Sequence, residues 1–321
     1  MCAYAINAKG TAYGTQISFK AENGGGGEGS NTWTNKATCP LGGNTDYNVR
    51  DVVGFSINNK GYVCGKSFLW EYNPSSNSWT QKANYTGESN WFAVGFSIGD
   101  KGYIGTGQPG NGIAAVQDFW EYTPASNKWT QKADFPGSER VEAIGFSIGN
   151  KGYIGTGADW SGYADFWEYN PASDKWTRKA DFAGGPRYRA VSFSIGNKGY
   201  ICTGISGYGN YYDDLWEYDP ASNKWTQRAN LPGESREYAV GFSIGSKGYV
   251  GTGESKSSEG GYHNSKDFWE YDPVTNKWKQ KADFAGGYRN VAFGFSIGNK
   301  GYVGGGIGDY GAWDDFWEYT P

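Results

Sequence analysis

The sequence predicts an all-β propeller, which is a ring of repeated four-stranded sheets. Three observations predict this fold: the chain repeats itself at a period near 50 residues, each repeat contains strand-like alternation, and turn residues separate the strands. The composition favours the same fold, because 52 of the 321 residues are Gly and 18% are aromatic. Large β folds of this length form one unit, so we assign residues 1–321 to a single domain.

Two tryptophan signatures and one glycine signature set the period. The Trp of "WEY" recurs at spacings of 47 to 53 residues, at Trp70, Trp120, Trp167, Trp216, Trp269 and Trp317. A second Trp opens "WT.KA" or a close variant, at Trp33, Trp79, Trp129, Trp176, Trp225 and Trp278. The signature "I..KG" accompanies each repeat and occurs once more at Ile6. Such regular tryptophans are typical of core packing rather than of a ligand site.

Each repeat predicts four short strands, which we label a to d. Strand a is "AVGFSI", where Val94, Phe96 and Ile98 alternate with Gly95 and Ser97. Strand b is "KGYIGTG", strand c is "DFWEY", and strand d is "KWTQKA" after the turn "NPASN". A single sheet of this size cannot bury both faces, whereas a ring stacks the bulky face of one blade on the small-residue face of the next.

These residues also carry a resemblance. The stretch "DFWEYTPASNKWTQKADFPGSERVEAIGFSIGNKGYIGTG" resembles kelch-repeat β-propellers of the galactose-oxidase-like group, and its wording is similar to secreted or surface kelch proteins of Bacteroidota-like bacteria. The resemblance covers residues 33–321 strongly and 1–32 weakly. It implies an extracellular or cell-surface location, although the start "MCAYAINAKG" shows no signal peptide. It implies no particular activity, because this fold hosts unrelated functions.

Two blade counts fit the repeats. Seven blades are favoured, because Ile6 fits the period; residues 1–30 then form a degenerate first blade, and the last blade lacks strand d. That empty slot predicts a possible homo-oligomer, in which a neighbour supplies the missing strand. In the alternative, residues 31–38 complete the last blade, the ring has six blades, and residues 1–30 are an N-terminal appendage.

Charge, hydropathy and cysteine usage limit the function classes. The net charge is −4 without any basic run, so nucleic acid is not an expected partner. No stretch approaches eighteen consecutive apolar residues, so no membrane span is expected. Four cysteines show no CxxC spacing, and whether Cys39 and Cys64 form a disulfide is left open.

The repetition breaks on one face of the predicted ring. By strand parity, the d–a and b–c loops open on the same face, and these loops differ between repeats. We expect ligand-binding residues there, because variable loops on a rigid scaffold usually carry function. The candidates are arginines, tryptophans and tyrosines that depart from the repeat: Arg50, Arg140, Arg187, Arg189, Arg236, Arg289, Trp91, Trp160, Trp313, Tyr163, Tyr208 and Tyr211.

Two interpretations of these arginines are open. In one, they bond loop carbonyls and neighbouring glutamates, and so hold blades in register. In the other, they line the channel mouth as forks for a carboxylate or phosphate, beside aromatic rings that suit a sugar or an acidic peptide.

The sequence favours a non-enzymatic recognition propeller that binds a glycan or protein ligand. No cofactor, metal or catalytic residue is predicted, since the copper site of galactose oxidase needs two histidines and this chain has only His263. Two alternatives stay open: a structural subunit of an extracellular assembly, and a sialic-acid mutarotase. The kelch resemblance implies the latter as an alternative, with Glu139 and Arg140, or Glu237 and Arg236, near the channel mouth.

Overall fold

The structure is a computed structural model that describes residues 5–7, 10–12, 31–41, 52–65, 68–88, 91–109, 114–159, 161–257 and 259–321. These residues form β-strands and connecting loops, which confirms the predicted all-β propeller. Across these ranges, no helix has the length and apolar character that crossing a membrane requires.

In the described part of the chain, six antiparallel four-stranded sheets form the blades, and in each the strands lie in the order a, b, c, d. Their bounds are, for blade 1, Val53–Ile57, Lys60–Gly65, Phe68–Asn73 and Ser78–Gln81; for blade 2, Val94–Ile98, Lys101–Gly105, Phe119–Thr123 and Lys128–Gln131; for blade 3, Ile144–Ile148, Lys151–Gly155, Phe166–Asn170 and Lys175–Arg178; for blade 4, Val191–Ile195, Lys198–Cys202, Leu215–Asp219 and Lys224–Arg228; for blade 5, Val240–Ile244, Lys247–Gly251, Phe268–Asp272 and Lys277–Gln280; and for blade 6, Phe293–Ile297, Lys300–Gly304, Phe316–Thr320 and Thr32–Asn35.

The ring closes with six blades, which corrects the favoured count of seven. Strand a of each blade packs against strand a of the next, and blade 6 packs against blade 1. The hairpin of Ala5–Asn7 and Gly10–Ala12 forms a separate two-stranded sheet instead of a first blade. The strand c that the seven-bladed interpretation needed near Phe19 lies outside the described residues.

The N-terminal strand Thr32–Asn35 fills the outer position of blade 6. It pairs antiparallel with Phe316–Thr320, so this blade joins the two ends of the repeat region. The predicted empty slot is therefore occupied, and the homo-oligomer expected from it loses its structural basis.

A repeated contact joins the outer strands of neighbouring blades. At the closing junction, the indole Nε1 of Trp33 donates to the carbonyl of Ala282 at 3.1 Å. The Ala282 amide in turn donates to Asn31 Oδ1 at 3.0 Å, and Asn31 also accepts from the Tyr319 hydroxyl. The tryptophans of strand d make the same bond at the other five junctions: Trp79 to Ala37, Trp129 to Ala83, Trp176 to Ala133, Trp225 to Ala180 and Trp278 to Ala229. These contacts between blades explain why the sequence of strand d recurs in each repeat.

Bulky residues of one blade pack against small residues of the next blade, as the strand a pattern predicts. A β-carbon added to Gly152 of blade 3 would lie only 2.5 Å from the Phe96 ring of blade 2. The equivalent glycines Gly199, Gly248 and Gly301 meet Phe146, Phe193 and Phe242 in the same way. The glycine of "KG" is therefore required because any side chain there would collide with the neighbouring blade.

The cysteines described by the structure are packing residues. Cys39, Cys64 and Cys202 are buried and free, so Cys39 and Cys64 do not form a disulfide. Burial raises the pKa of the Cys64 and Cys202 thiols well above the usual range, which leaves them unreactive.

Candidate functional site

A ring of equivalent residues surrounds the mouth of the central channel. Each lies two residues before strand a, in a d–a loop, with a left-handed backbone at φ 53° to 57°: Phe92, Glu142, Arg189, Tyr238 and Val291. We call these five residues the mouth ring. The equivalent position in blade 1, Asp51, lies outside the described residues.

Backbone hydrogen bonds connect the mouth ring from blade to blade. The amide of Glu142 donates to the carbonyl of Phe92 at 3.0 Å, and the amide of Arg189 donates to that of Glu142 at 3.2 Å. Tyr238 and Val291 continue the series at 3.1 and 3.2 Å. A left-handed backbone is unfavourable for residues with side chains, so these bonds help to hold a strained conformation that is typical of functional sites.

Glu142, Arg189 and Tyr238 of the mouth ring form a partly buried charged cluster with their neighbours Glu237 and Tyr211. Arg189 Nε donates to both carboxylate oxygens of Glu142 at 2.9 Å, and its Nη1 donates to Glu237 Oε2 at 3.0 Å. The Tyr238 hydroxyl donates to Glu142, and the guanidinium of Arg189 lies 4.5 Å from the centre of the Tyr238 ring. Tyr211 donates its hydroxyl to Glu237 Oε1 at 3.2 Å. Two carboxylates therefore share one guanidinium.

Burial changes the pKa of one carboxyl group of this cluster, that of Glu142. It raises the pKa of Glu142 above its usual range, and the negative charge of Glu237 adds to this shift. The charge of Arg189 and the Tyr238 hydroxyl oppose the shift but do not cancel it. A carboxyl group of this kind can hold or release a proton closer to neutral pH than an exposed glutamate can.

Two cavities open at this cluster. The first, of about 150 Å³, is the channel mouth, lined by the mouth ring and the small residues that follow it. The second, of about 340 Å³, shares Phe92, Arg189, Tyr238 and Val291 with the first. Its other lining residues come from the d–a loops and from the b–c loops of blades 5 and 6: Glu237, Glu254, Asn264, Asn290 and Ile307. We call this second cavity the mouth pocket. Its volume is within the range of small-ligand sites.

The b–c loop of blade 5 shapes one wall of the mouth pocket. Its strands Glu254–Lys256 and Tyr262–Asn264 form a hairpin that pairs with Arg236–Glu237 of the preceding d–a loop. Isolated bridges such as Asn290 with Ile307 join d–a and b–c loops in other blades. Both loop sets therefore lie on one face, as strand parity predicts.

Four of the predicted arginines do not face a ligand space. The side chains of Arg140, Arg187, Arg236 and Arg289 are 0% or 1% exposed. We therefore correct the expectation that they line the channel mouth. In the two pairings considered for a mutarotase, Arg140 and Arg236 bond Asp165 and Asp267, and Glu237 bonds Arg189.

These four arginines join the loops of their own blades. Arg140 donates to the two carboxylate oxygens of Asp165 at 2.6 and 2.8 Å and to the Thr156 carbonyl at 2.8 Å. Its guanidinium lies 4.7 Å from the centre of Phe135 and 4.5 Å from that of Tyr163. The other three pairs repeat this geometry: Arg187 with Asp214, Arg236 with Asp267 and Arg289 with Asp315. The structural interpretation is right for this set, with aspartates before strand c as partners rather than glutamates.

The remaining predicted residues separate into different environments. Arg189 and Tyr211 belong to the charged cluster at the mouth. Tyr163 covers Arg140, while Trp313 lies 5.4 Å from Arg289 and is 38% exposed. Tyr208 is 96% exposed on a b–c loop, and the Trp91 backbone pairs with Gln108. Arg50 and Trp160 lie outside the described residues.

The sequence interpretation missed most of the mouth pocket. Its candidates did not include Tyr238, Asn290, Glu254 and Asn264, nor Glu142 of the adjoining channel mouth. One signal was available: the residue before the repeated alanine of strand a varies completely, in "VEA", "YRA", "EYA" and "NVA". A variable residue at an otherwise constant position of every blade marks the channel mouth.

Comparison with known proteins supports the fold. Residues 186–232 match the family model described as the Kelch motif. Among solved structures, the one titled "Structure of YjhT" is similar at a TM-score of 0.76 with 14% sequence identity, covering 88% of this chain and 95% of the other. No curated protein matches this chain in sequence. At this identity the similarity concerns the fold alone, and the chain has the fold of a kelch-type β-propeller.

Proposed function

We propose that this chain is a non-enzymatic recognition propeller that binds a glycan at the channel mouth, through the face formed by its d–a and b–c loops. One observation carries the proposal. The mouth ring occupies the same backbone position in five blades, yet it bears unlike side chains: Glu142, Arg189 and Tyr238 stand beside the apolar Phe92 and Val291. A purely structural ring would repeat one residue, as the strands do.

The chemistry of the mouth pocket supports a saccharide. Carboxylates, amides, a guanidinium and a tyrosine ring meet there around about 340 Å³, and sugar hydroxyl groups can both donate to and accept from such groups. Exposed aromatic rings on loops of blades 4 to 6 offer stacking surfaces on the same face: Tyr208, Tyr262, Tyr288, Tyr310 and Trp313.

A glycan array with two asparagine variants tests the proposal. Asn290→Ala removes a lining amide whose Nδ2 donates to Glu254 at 3.0 Å. We expect this variant to bind the glycan that the wild type retains about tenfold more weakly, the typical effect of one lost buried hydrogen bond.

Asn230→Ala is the matched control for this experiment. Asn230 makes the same kind of bond, to Asp213 at 3.1 Å, on an exposed loop that does not line the mouth pocket. Its glycan binding should equal that of the wild type. Equal losses in the two variants, or a wild type that retains no glycan, would refute the proposal.

A sialic-acid mutarotase is the second candidate, and the buried Glu142 favours it. Burial raises the pKa of this carboxyl group, which suits proton transfer. Proton NMR of anomer exchange in sialic acid is the test. If the wild type accelerates the exchange and Glu142→Gln does not, the mutarotase replaces the binding proposal. An exchange rate that the wild type leaves unaltered would exclude the mutarotase.

An extracellular or cell-surface location is part of the proposal. It is supported by the resemblance of the repeats to secreted or surface kelch proteins of Bacteroidota-like bacteria, and cell surfaces are rich in glycans.

A further inference from the structure

The balance of charge in the mouth pocket limits which glycan can bind. Its lining contains the carboxylates of Glu237 and Glu254, and the adjoining channel mouth adds Glu142. Arg189 is the one cationic side chain among the described residues that line the two cavities. The lining is therefore net negative, and it stays so even when Glu142 is protonated.

Arg189 is already engaged by this negative charge. Its Nε and Nη1 donate to Glu142 and Glu237 at 2.9 to 3.0 Å. A ligand carboxylate that approached Arg189 would lie beside these two carboxylates, and like charges at close range oppose binding. The pocket is thus poorly suited to the acidic sugar that an arginine fork at first indicates.

Carboxylates orient the side chains of two asparagines in the pocket lining. Asn264 Nδ2 donates to Asp309 Oδ1, and Asn290 Nδ2 donates to Glu254 Oε2, each at 3.0 Å. An ionised carboxylate only accepts hydrogen bonds, so it fixes the orientation of each amide and turns the Oδ1 atom away. The Oδ1 of Asn264 is buried and has no hydrogen-bond partner. An atom this buried is costly to leave unsatisfied, and the Asn264 side chain would have to shift for a ligand donor to reach it.

We infer that the mouth pocket selects a saccharide that carries a protonated amino group, such as a glucosamine unit. The ammonium group supplies three donors and a positive charge, which suit the net negative lining that Glu237, Glu254 and Glu142 create. This inference rests on the proposed function and adds the chemical class of the ligand.

Isothermal titration with matched trisaccharides tests the inference. The probes are a glucosamine trimer, its fully N-acetylated counterpart and a uronic acid trimer, at a pH where the amines are protonated. We expect the amine-bearing trimer to bind at least about tenfold more tightly than the N-acetylated one, with the uronic acid trimer the weakest. Equal or tighter binding of the acetylated or acidic trimer overturns the inference but leaves glycan recognition in place.

Two glutamate variants on one hairpin assign the effect to the pocket. Glu254→Gln should weaken binding of the glucosamine trimer about tenfold and leave the acetylated trimer unchanged. Glu259→Gln, at the exposed tip of the same hairpin, is the control and should change neither. An equal loss in both variants would indicate general attraction to an acidic loop and would overturn the inference. Failure of the wild type to bind any saccharide would refute the proposed function itself.

Discussion

Trp33→Ala is expected to lower the free energy of unfolding by about 3–5 kcal/mol, the cost of removing a large aromatic side chain from a packed core. Trp33 is 2% exposed, and its ring lies 4.8 to 5.0 Å from those of Phe268, Phe284 and Tyr319. These contacts join blades 5 and 6 at the point where the N-terminal strand closes the ring. The substitution therefore removes packing from two blades and from the closure together.

Denaturant unfolding followed by tryptophan fluorescence measures this loss. Trp313→Ala is the control, because this indole is partly exposed on a loop and its removal should cost less than about 1 kcal/mol. We also expect the Trp33 variant to associate at high concentration in light scattering, since loosening of Thr32–Asn35 uncovers the edge of Phe316–Thr320. Equal stability of the two variants would show that the ring does not depend on this closure.

Arg140→Ala is expected to destabilise the fold by about 3 kcal/mol, although the residue lies on the variable face. It leaves Asp165 without its partner, and breaking one half of a buried ion pair is costly. The value is at the lower end of the usual range because the Asp165 side chain keeps 17% exposure. Thermal unfolding of the two proteins at pH 7 measures the difference.

Blade 3 contains its own control for this prediction. Arg178 pairs with Asp181 at 3.0 Å, but both side chains are more than half exposed. Arg178→Ala should therefore cost less than about 1 kcal/mol. A similar small loss in both variants would contradict the structural role that we give to the buried pairs. It would also reopen Arg140 as a ligand-binding residue.

The pH dependence gives an independent check of the Arg140 pair. Burial by itself raises the pKa of Asp165, but the hydrogen bonds and charge of Arg140 outweigh it and lower the pKa below 3.8. A lowered pKa contributes stability that is present above the unfolded pKa and is lost as the pH falls through the folded value. The difference in stability between wild type and Arg140→Ala should therefore shrink as the pH falls below about 4. A difference that does not change with pH would exclude Asp165 as the partner.

The sequence alone determined the strands, the turns and the division between a constant and a variable face. Strand alternation, turn residues and "KG" glycines act over a few residues, and the same local pattern recurs in every blade. The tertiary structure decided the blade count, because the partner of Phe316–Thr320 lies almost a chain length away and the Tyr319 hydroxyl bonds Asn31 across 288 residues.

The structure likewise decided which arginines are structural. Arg140 and Arg189 stand in similar loops, and no local pattern shows that the first meets an aspartate 25 residues away while the second meets Glu142 and Glu237 from two neighbouring blades. The ring geometry brings such distant residues together, so the location of the charged cluster emerged only from the closed fold.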